Sequence, residues 1–518
     1  MCGILFTENR NREEKNIEHR GPDDKLKIDI FNSTFAFYRL SINDLSDNGM
    51  QPFVSENVAV ICNGEIYNHK ELSKGFNIKS SSDCEVLMHL LESTNDFKSI
   101  CNMLDGVYAI VAKFKNGEIF AARDTVGVRP LFYGYDKHNG ICFSSEIKGL
   151  LEICKSIYEV PPGHYYFNKR FVRFSSPMAM CQFPNQYNSI TLNLILHAAV
   201  IKRLMSDAPI GFFLSGGLDS SLIAGIAAQH YNKPIHTFSI GIGESPDIIA
   251  ARKVSSHIQS IHHEIIFTVE EGLEALQSVI WHLESYDCTT IRASVPMFLL
   301  SKYVRENTDI KVILSGEGAD ELFGGYLYLH NAPEPSIFHN ECLRLLEHVH
   351  CHDVLRADRS TAAHGLEIRV PFFDKTLMSY VKGIPTEFRI PSYGNIEKFI
   401  LRESFEKDNI IPNEILWRQK NGMSDAVGYS WVNFMRTHAC DIISDEEYNT
   451  IVDSCSRNIP LSKEEALYRN IYHFMFDDVD LVPHVWRPKW SKLTDPSAAL
   501  LDIHTENIGP PNSSPTTT

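Results

Sequence analysis

The chain has 518 residues and a formal net charge of -16 at pH 7, and 43% of its residues are hydrophobic. This length accommodates two or three domains, and the acidic balance argues against a protein that coats nucleic acids or binds anionic membranes. No apolar run approaches the roughly 20 residues that cross a bilayer, and the polar start of the chain has no signal-peptide core. The twelve cysteines form no Cys-x-x-Cys pair, so reduced thiols in a cytoplasmic protein are expected.

The first notable residue is Cys2, which directly follows the initiator Met1. Removal of Met1 would place a thiol beside a free α-amino group, whose pKa of about 7.7–8.0 suits a base near neutral pH. A thiolate is also a strong nucleophile. A cysteine at this position is weak evidence when it is taken alone, and the motifs that follow decide its interpretation.

Short β-like runs alternate with turns through the first third of the chain, at 58–61, 107–114, 118–122, 131–134 and 141–144. Residues 82–91 have the helical spacing of apolar side chains. The pattern predicts an α+β domain with two antiparallel sheets packed between helices. Taken alone, Asn63-Gly64 indicates a hairpin turn, and Arg39 and Asp83 indicate an ordinary ion pair.

Several short motifs follow Cys2 in a fixed order. They are Cys2-Gly3-Ile4, His19-Arg20-Gly21-Pro22-Asp23, Arg39-Leu40-Ser41, Asn63-Gly64-Glu65, Ser82-Asp83, Arg123-Asp124 and Ser145-Glu146. The set resembles the N-terminal-nucleophile glutaminase domain (an αββα sandwich) of the class II amidotransferases, over nearly all of residues 2–167. The chain departs from that family in the short polar segment between Phe6 and Arg20, where relatives carry a longer helix, and at Tyr38, where many relatives have a histidine close by.

The resemblance implies a role for each of these residues. Cys2 attacks the amide of glutamine, and the tetrahedral oxyanion accepts hydrogen bonds from the Asn63 side chain and the Gly64 backbone N–H. Arg39 binds the α-carboxylate of glutamine through its planar guanidinium. Asp83 accepts from the α-ammonium group, and Glu65 lines the same pocket.

An aperiodic stretch at 168–189 predicts a linker, and alternating strand and helix patterns then fill residues 190–501. Strands are predicted at 210–214, 235–240, 263–267 and 310–314, with helices at 247–258, 269–283 and 297–304. This alternation indicates an α/β domain with a doubly wound parallel sheet. Three loops leave the carboxyl ends of its strands, where ligands bind such sheets, at 215–221, after Ile240 and at 315–321. Residues 502–518 are rich in Pro, Ser, Thr and Asn and are predicted to be disordered.

The loop at 215–221 reads Ser-Gly-Gly-Leu-Asp-Ser-Ser and lies between a buried strand and the start of a helix. Free backbone N–H groups and serine hydroxyls at such a position favour a phosphate, and Asp219 could hold magnesium. No Gly-Lys-Ser/Thr follows, so the loop is not a Walker motif. An ordinary strand–turn–helix corner is the alternative. The string resembles the pyrophosphate loop of the ATP-pyrophosphatases.

The loop at 315–321 carries Glu317, Asp320 and Glu321 within five residues, which is typical of a cation site or of an acidic surface turn. Together with Asp287-Cys288-Thr289-Thr290-Ile291-Arg292, 356–359, 367–372 and Trp417-Arg418-Gln419-Lys420, it resembles the glutamine-hydrolysing asparagine synthetases. The alternatives are a helix-capping loop at 287–294 and a solvated helix end at Lys420.

This second resemblance implies binding roles for specific residues. Magnesium is held by Asp219 and Asp320, Glu317 lies near the adenylated intermediate, and Lys420 reaches the pyrophosphate. Aspartate is bound by Thr289, Thr290 and Arg292. ATP is bound by Leu214, Ser215, Gly216, Gly217, Asp219, Ser220, Ser221, Ile240, Ser315 and Gly316.

The resemblance therefore implies glutamine-dependent synthesis of asparagine from aspartate and ATP through a β-aspartyl adenylate, with an internal passage for ammonia. It allows a homodimer, with small-molecule substrates and neither nucleic acid nor membrane as partners. Two alternatives are an ATP-pyrophosphatase that acts on another carboxylate, as the β-lactam synthetases do, and a catalytically silent relative. Cys2 argues against the first alternative, and Cys2 together with the two intact loops argues against the second.

Overall fold

The computed structural model describes residues 1–10, 17–178, 186–394, 396–419, 429–476 and 479–490. The first half contains two six-stranded antiparallel sheets. The first sheet has the spatial order Cys154–Glu159, Phe132–Asp136, Ile141–Ser144, Gly3–Thr7, Ser33–Arg39 and Asp24–Ile30. The second sheet has the order Arg170–Arg173, His164–Phe167, Ile119–Arg123, Gly106–Phe114, Val58–Ile66 and Phe53–Val54.

A fully apolar core joins the two sheets face to face. Phe6, Phe35 and Phe143 from the first sheet pack against Ile61 and Val111 from the second. Helices Val86–Ser93 and Phe97–Met103 cover the outer face of the second sheet. The outer face of the first sheet packs against helices Val269–Leu283 and Cys288–Asn307 of the second half. The sandwich prediction is confirmed, and part of its outer layer comes from the other half of the chain.

Two details of the first half differ from the sequence pattern. Asn63 and Gly64 lie inside strand Val58–Ile66, opposite Ala109 and Tyr108, so the hairpin interpretation is wrong. A Cβ at Gly64 would lie 2.1 Å from the Val107 carbonyl oxygen, so no side chain fits there. Strand Arg170–Arg173 pairs with His164–Phe167, and the sheet therefore continues past residue 167, where the pattern places the start of the linker.

The second half is built on a five-stranded parallel sheet. Its strands lie in the order Ile261–Ile266, His236–Gly241, Ile210–Phe213, Val312–Leu314 and Glu367–Arg369. The doubly wound prediction is confirmed, because the parallel strands are connected through helices and every residue of strands Ile210–Phe213 and Val312–Leu314 is buried. The resemblance places 367–372 in a helical region. The structure corrects this placement, since Ile368 pairs with Ile313 in the fifth strand.

Helices pack around this sheet and form the remainder of the second half. They are Ser189–Lys202, Leu218–His230, Pro246–Ile258, Val269–Leu283, Cys288–Asn307, Ala319–Phe323, Pro335–His348, Asp353–Ala362, Lys375–Gly383, Phe399–Phe405, Asn413–Leu416, Tyr429–Ile442, Asp445–Ser454 and Lys463–Phe476. Within the described ranges, none of the helices combines the length and the apolar character that a membrane span requires. The predicted tail at 502–518 lies outside the described residues.

Candidate functional site

The Cys2 thiol lies at the entry to strand Gly3–Thr7, where the Leu40 backbone N–H donates to Cys2 Sγ at 3.4 Å. Burial raises the pKa of this thiol to about 11, against the opposing effect of the α-amino group of Met1. The thiol is therefore protonated at neutral pH while Met1 precedes it.

Met1 itself is fully buried, and its α-amino group donates to the Leu366 carbonyl oxygen at 3.2 Å. Burial lowers the pKa of this amino group to about 5, so it is neutral at pH 7. A neutral amine is a competent base. Removal of Met1 would give that role to the amino group of Cys2 itself, and this step stays a prediction.

Asn63 is completely buried, yet neither its side-chain nitrogen nor its side-chain oxygen has a hydrogen-bond partner among the described residues. Leaving a buried polar group unpaired costs about 1–3 kcal/mol. The Asn63 amide therefore has unused hydrogen-bonding capacity, and its oxyanion role stays a prediction. The other predicted donor, the backbone N–H of Gly64, lies in the same strand at a position where the backbone leaves no room for a side chain.

The other predicted glutamine-binding residues form short hydrogen bonds with neighbouring groups. Arg39 donates to the carbonyl oxygens of Ser46, at 2.8 Å, and Asp44. Asn43 donates to both Glu65 Oε2, at 2.6 Å, and Asp83 Oδ1, at 3.1 Å. Asn43 therefore holds the two carboxylates together, and no sequence pattern indicated it.

A residue of the second half also reaches this site. Arg369 Nη2 lies 3.1 Å from Glu65 Oε2, and its Nε donates to Glu367 Oε1 at 2.8 Å. Burial and then the neighbouring Asp83 raise the pKa of Glu65 well above its ordinary value, although Arg369 opposes this. The last strand of the parallel sheet thus contributes directly to the wall of the glutaminase site.

The second site is a cavity of about 230 Å³ at the carboxyl edge of the parallel sheet. All three predicted loops reach it, and predicted residues in its lining are Leu214, Ser215, Gly217, Asp219, Ser220, Ile240, Thr289, Thr290, Ser315, Gly316, Glu317 and Asp320. Gly216, Ser221 and Arg292 do not belong to the lining. Loops that are 100 residues apart in the chain therefore converge as the strand order requires.

The glycine-serine loop is tightly constrained. Gly216 has a φ of 73°, and a Cβ there would lie 2.4 Å from the Ala251 backbone nitrogen. The hydroxyls of Ser215 and Ser220 lie 3.0 Å apart, and Ser220 Oγ accepts from the Ser215 backbone N–H at 3.2 Å. Helix Leu218–His230 starts inside the loop, and the free N–H groups of its first turn are the kind of donors that bind anions.

Asp219 and Asp320, the two predicted magnesium ligands, meet at a lysine. Lys398 Nζ lies 2.5 Å from Asp219 Oδ2 and 2.6 Å from Asp320 Oδ1. Asp219 Oδ1 is buried and has no hydrogen-bond partner among the described residues. Sequence reasoning missed Lys398, which lies 179 residues from Asp219 and shows no local motif.

Glu317 makes an ion pair inside the same cavity. Its Oε2 lies 2.5 Å from Arg356 Nη2, and Arg356 Nη1 lies 2.8 Å from Asp353 Oδ1. Burial raises the pKa of Glu317, against the lowering effect of Arg356. The Glu317 carboxyl group is thus held beside Arg356, and its pKa lies above the ordinary value for a glutamate.

The predicted aspartate-binding residues separate into two groups. Thr289 and Thr290 line the cavity at the start of helix Cys288–Asn307, and the Thr289 hydroxyl has no partner among the described residues. Asp287 caps this helix by accepting from Thr290 N at 2.7 Å, as the capping alternative expects. Arg292 turns away from the cavity and binds Glu464, with Nε 2.8 Å from Oε1. Lys420 lies outside the described residues.

These two sites define a class of protein: an amidotransferase-type sandwich that begins with a cysteine, joined to a parallel-sheet domain with a glycine-serine loop at the carboxyl end of a strand. The "Glutamine amidotransferase domain" family model matches residues 1–178, and the "Asparagine synthase" model matches 191–338 and 332–502. The chain belongs to the family of glutamine-hydrolysing asparagine synthetases.

Curated relatives support this membership over the whole length. A probable asparagine synthetase [glutamine-hydrolyzing] of Dictyostelium discoideum is 39% identical over 97% of this chain and 99% of that relative. Asparagine synthetase [glutamine-hydrolyzing] 2 of Oryza sativa subsp. japonica is 40% identical, covering 97% and 93%. The asparagine synthetase [glutamine-hydrolyzing] of Cricetulus griseus is 42% identical, covering 94% of each chain.

Proposed function

We propose that this protein is an ATP-dependent ligase that makes asparagine from aspartate, with glutamine as the nitrogen donor. The products are asparagine, glutamate, AMP and pyrophosphate. The observation that carries the proposal is the presence of both sites in one chain whose relatives are similar over nearly its full length. Along the chain, the half that releases nitrogen from glutamine precedes the half that transfers nitrogen to aspartate.

In the first half, Cys2 forms a thioester with the glutamine side chain and releases ammonia. The unpartnered amide of Asn63 and the backbone N–H of Gly64 donate to the oxyanion. Arg39 orients the α-carboxylate of glutamine, and Asp83 orients its α-ammonium group. Asn43 donates to both Glu65 and Asp83, so Glu65 helps to fix the position of Asp83. Water then releases glutamate from Cys2.

In the second half, the phosphates of ATP contact Ser215, Gly217, Ser220 and the first turn of helix Leu218–His230, with Gly216 and Ser221 shaping the loop. The adenosine lies along Leu214, Ile240, Ser315 and Gly316. The aspartate β-carboxylate attacks the α-phosphate, pyrophosphate leaves, and ammonia then displaces AMP from the adenylate. Glu317 handles the proton that the attacking ammonia loses, since its raised pKa suits this transfer.

Aspartate is held by Thr289 and Thr290, and the free Thr289 hydroxyl supports this assignment. Arg292 makes no direct contact with aspartate in this proposal, because it lies outside the cavity lining and is paired with Glu464. We keep Lys420 as the group that reaches pyrophosphate. This lysine follows Arg418, whose Nη1 donates to the Gly216 carbonyl oxygen at 3.1 Å.

Asp219 and Asp320 fit a magnesium ion. Asp219 offers an oxygen without a partner, and oxygen is the ligand that magnesium prefers. Within the described ranges no group of three or more His, Cys, Asp or Glu side chains is arranged around one point, so phosphate oxygens would complete the set. When bound, the ion would supply neutralisation of phosphate charge. Lys398 supplies further positive charge from the protein itself.

Ammonia would be protonated in bulk water, so a direct route between the sites is expected. One apolar cluster includes Leu40 and Val128 from the first half and Leu214 and Val370 from the second. This continuity supports a dry passage between Cys2 and the ATP cavity.

Release of AMP and pyrophosphate tests the proposal. We expect both products only when aspartate is present with ATP, and asparagine only when glutamine or ammonium is added. A relative that acts on another carboxylate would be indifferent to aspartate, and a silent relative would release neither product.

A further inference from the structure

Two charged residues of helix Asp353–Ala362 form ion pairs with different parts of the molecule. Arg356 Nη2 lies 2.5 Å from Glu317 Oε2 in the ATP cavity. Asp358, two residues further along, pairs with the first half instead, and its Oδ2 lies 3.0 Å from Arg20 Nη1. Asp358 does not belong to the lining of the ATP cavity, and no role assigned above uses it.

Arg20 connects Asp358 to the nucleophilic residue of the first half. Its Nε donates to the Cys2 carbonyl oxygen at 3.1 Å, and its Nη1 donates to Glu146 Oε1 at 2.8 Å. Arg20 is completely buried, and its guanidinium is planar, so the direction of one N–H fixes the directions of the others. The carboxylates that hold Nη1 therefore determine where the Nε–H of Arg20 points.

The two carboxylates beside Arg20 Nη1 differ in the number of cations that share them. Glu146 also pairs with three other groups of the ion-pair cluster, on His19, Lys148 and Arg359. Asp358 pairs with one other cation among the described residues, through the longer contact of 3.5 Å from Oδ1 to Arg129 Nη1. The Oδ2 atom of Asp358 is therefore committed to Arg20, although Asp358 belongs to the second half of the chain.

The contact between Arg20 and the Cys2 carbonyl oxygen gains importance once Met1 is removed. Met1 is held by the second half, because its α-amino group donates to the Leu366 carbonyl oxygen at 3.2 Å. Its removal would make Cys2 the first residue, and a chain terminus is poorly ordered unless it is tied down. The hydrogen bond from Arg20 would then restrain the residue that carries both the thiol and the new amino group.

We propose that Asp358, a residue of the second half, is a positioning residue for glutamine hydrolysis in the first half. Asp358 orients the Arg20 guanidinium, and Arg20 in turn holds the carbonyl group of Cys2. A reacting group has to be held to within about 0.5 Å, and a misplacement of about 1 Å can cost about 10²-fold in rate. The inference rests on the proposed function, because it assumes that Cys2 attacks glutamine.

Steady-state kinetics of glutamate release by the full chain test the inference. In Asp358→Ala, kcat should fall at least about tenfold and KM for glutamine should stay within about twofold of the parent value, because the residues that bind glutamine are unchanged. Asp358→Asn keeps the shape and one oxygen of the side chain, so its kcat should lie between those of Asp358→Ala and the parent. Ammonium-driven asparagine formation should be unchanged in both variants, since Asp358 lies outside the ATP cavity.

Glu284→Gln is the matched control for Asp358→Asn. Glu284 is also a buried carboxylate at the contact between the halves, where Arg359 Nη2 lies 3.0 Å from its Oε2 and the Ile147 backbone N–H donates to it at 2.8 Å. Among the described residues it forms no ion pair with Arg20. Glu284→Gln should therefore lower the melting temperature, as the Asp358 variants do, and should keep the parent kcat for glutamine hydrolysis.

The proposal is overturned if the Asp358 variants keep the parent kcat, or if Glu284→Gln loses as much kcat as Asp358→Asn. It is also overturned if ammonium-driven formation falls by the same factor as glutamine hydrolysis, because the effect would then be one of folding. If Asp358→Ala does not fold, the kcat of Asp358→Asn decides in the same way. A parent protein that does not hydrolyse glutamine would overturn the proposed function as well, whereas an active parent with unaffected Asp358 variants would overturn this inference alone.

Discussion

The groups nearest the reacting atoms differ electrostatically between the glutaminase site and the ATP cavity. Around Cys2, Asn63 is uncharged and unpartnered, and Arg39 is bound to neutral carbonyl oxygens. The ATP cavity instead holds carboxylates paired with cations, as in Asp219–Lys398–Asp320 and Glu317–Arg356. The difference follows from the substrates, because the first site stabilises one developing oxyanion and the second must accept a polyanion with its counter-charge.

The largest expected effect is that a substitution in one site removes the activity of that site and leaves the activity of the other. Cys2→Ala should reduce glutamine-driven asparagine formation by more than about 10³-fold, because the nucleophile is gone. Ammonium-driven formation should persist, since the ATP cavity is untouched. Both rates are measured by mass spectrometry of asparagine, with Cys440→Ala, at an exposed thiol, as the control. Equal loss of both rates would contradict the division into two sites.

The converse change concerns the ATP cavity. Asp219→Asn removes a carboxylate that pairs with Lys398, and AMP release should fall by about 10³-fold, which corresponds to several kcal/mol of lost charge stabilisation. Glutamine hydrolysis, measured as glutamate release, should continue. Asp453→Asn, at an exposed carboxylate, provides the matched control. An unchanged AMP rate would remove Asp219 from the proposed phosphate site.

Asn63→Ala tests the uncharged oxyanion donor proposed beside Cys2. Loss of an oxyanion donor should lower kcat for glutamine hydrolysis by about 10²-fold. The melting temperature should hardly change, because the Asn63 amide makes no hydrogen bond within the described protein. An ordinary buried asparagine would show the reverse, a large loss of stability with little effect on kcat, and that pattern would refute the oxyanion role.

The smallest expected effect is a pH dependence at the contact between the halves. Burial and then the nearby Lys302 and His19 lower the pKa of His364 to about 4, against about 6.5 in an unfolded chain. The stability that depends on neutral His364 is therefore present above pH 6.5 and is lost as the pH falls toward 4.

His364→Gln should accordingly reduce the fall in melting temperature between pH 7 and pH 5. His138→Gln, at an exposed histidine, should leave that fall as it is in the parent protein. If the two variants lost melting temperature equally on acidification, His364 would not be the buried neutral group described here.

Local patterns in the sequence were sufficient for the main elements of the fold. Helix Val269–Leu283 was predicted with its observed bounds, and the structure shows Thr268 and Glu271 forming a capping box at its start. The loop at 215–221 was found for the same reason, since its glycines and serines are adjacent in the chain. The hairpin alternative for Asn63-Gly64 was wrong, because this dipeptide also occurs at the crowded strand position that the structure shows.

Residues with distant partners could not be found in this way. Lys398 pairs with Asp219 across 179 positions, and Arg292 binds Glu464 across 172. Arg369 lies on an edge strand of the parallel sheet and makes an ion pair with Glu65 of the first half. An ion pair of this kind has no local periodicity, and only the folded chain shows which charge is bound to protein and which remains available to a substrate.

The transfer of amide nitrogen from glutamine to aspartate tests the central claim most directly. The protein is given glutamine labelled with ¹⁵N in its amide group, aspartate and ATP with magnesium, in a background of unlabelled ammonium, and the asparagine formed is analysed by mass spectrometry. The account predicts that asparagine carries the label with little dilution and that AMP appears in equal amount. Unlabelled asparagine, or ADP in place of AMP, would contradict it.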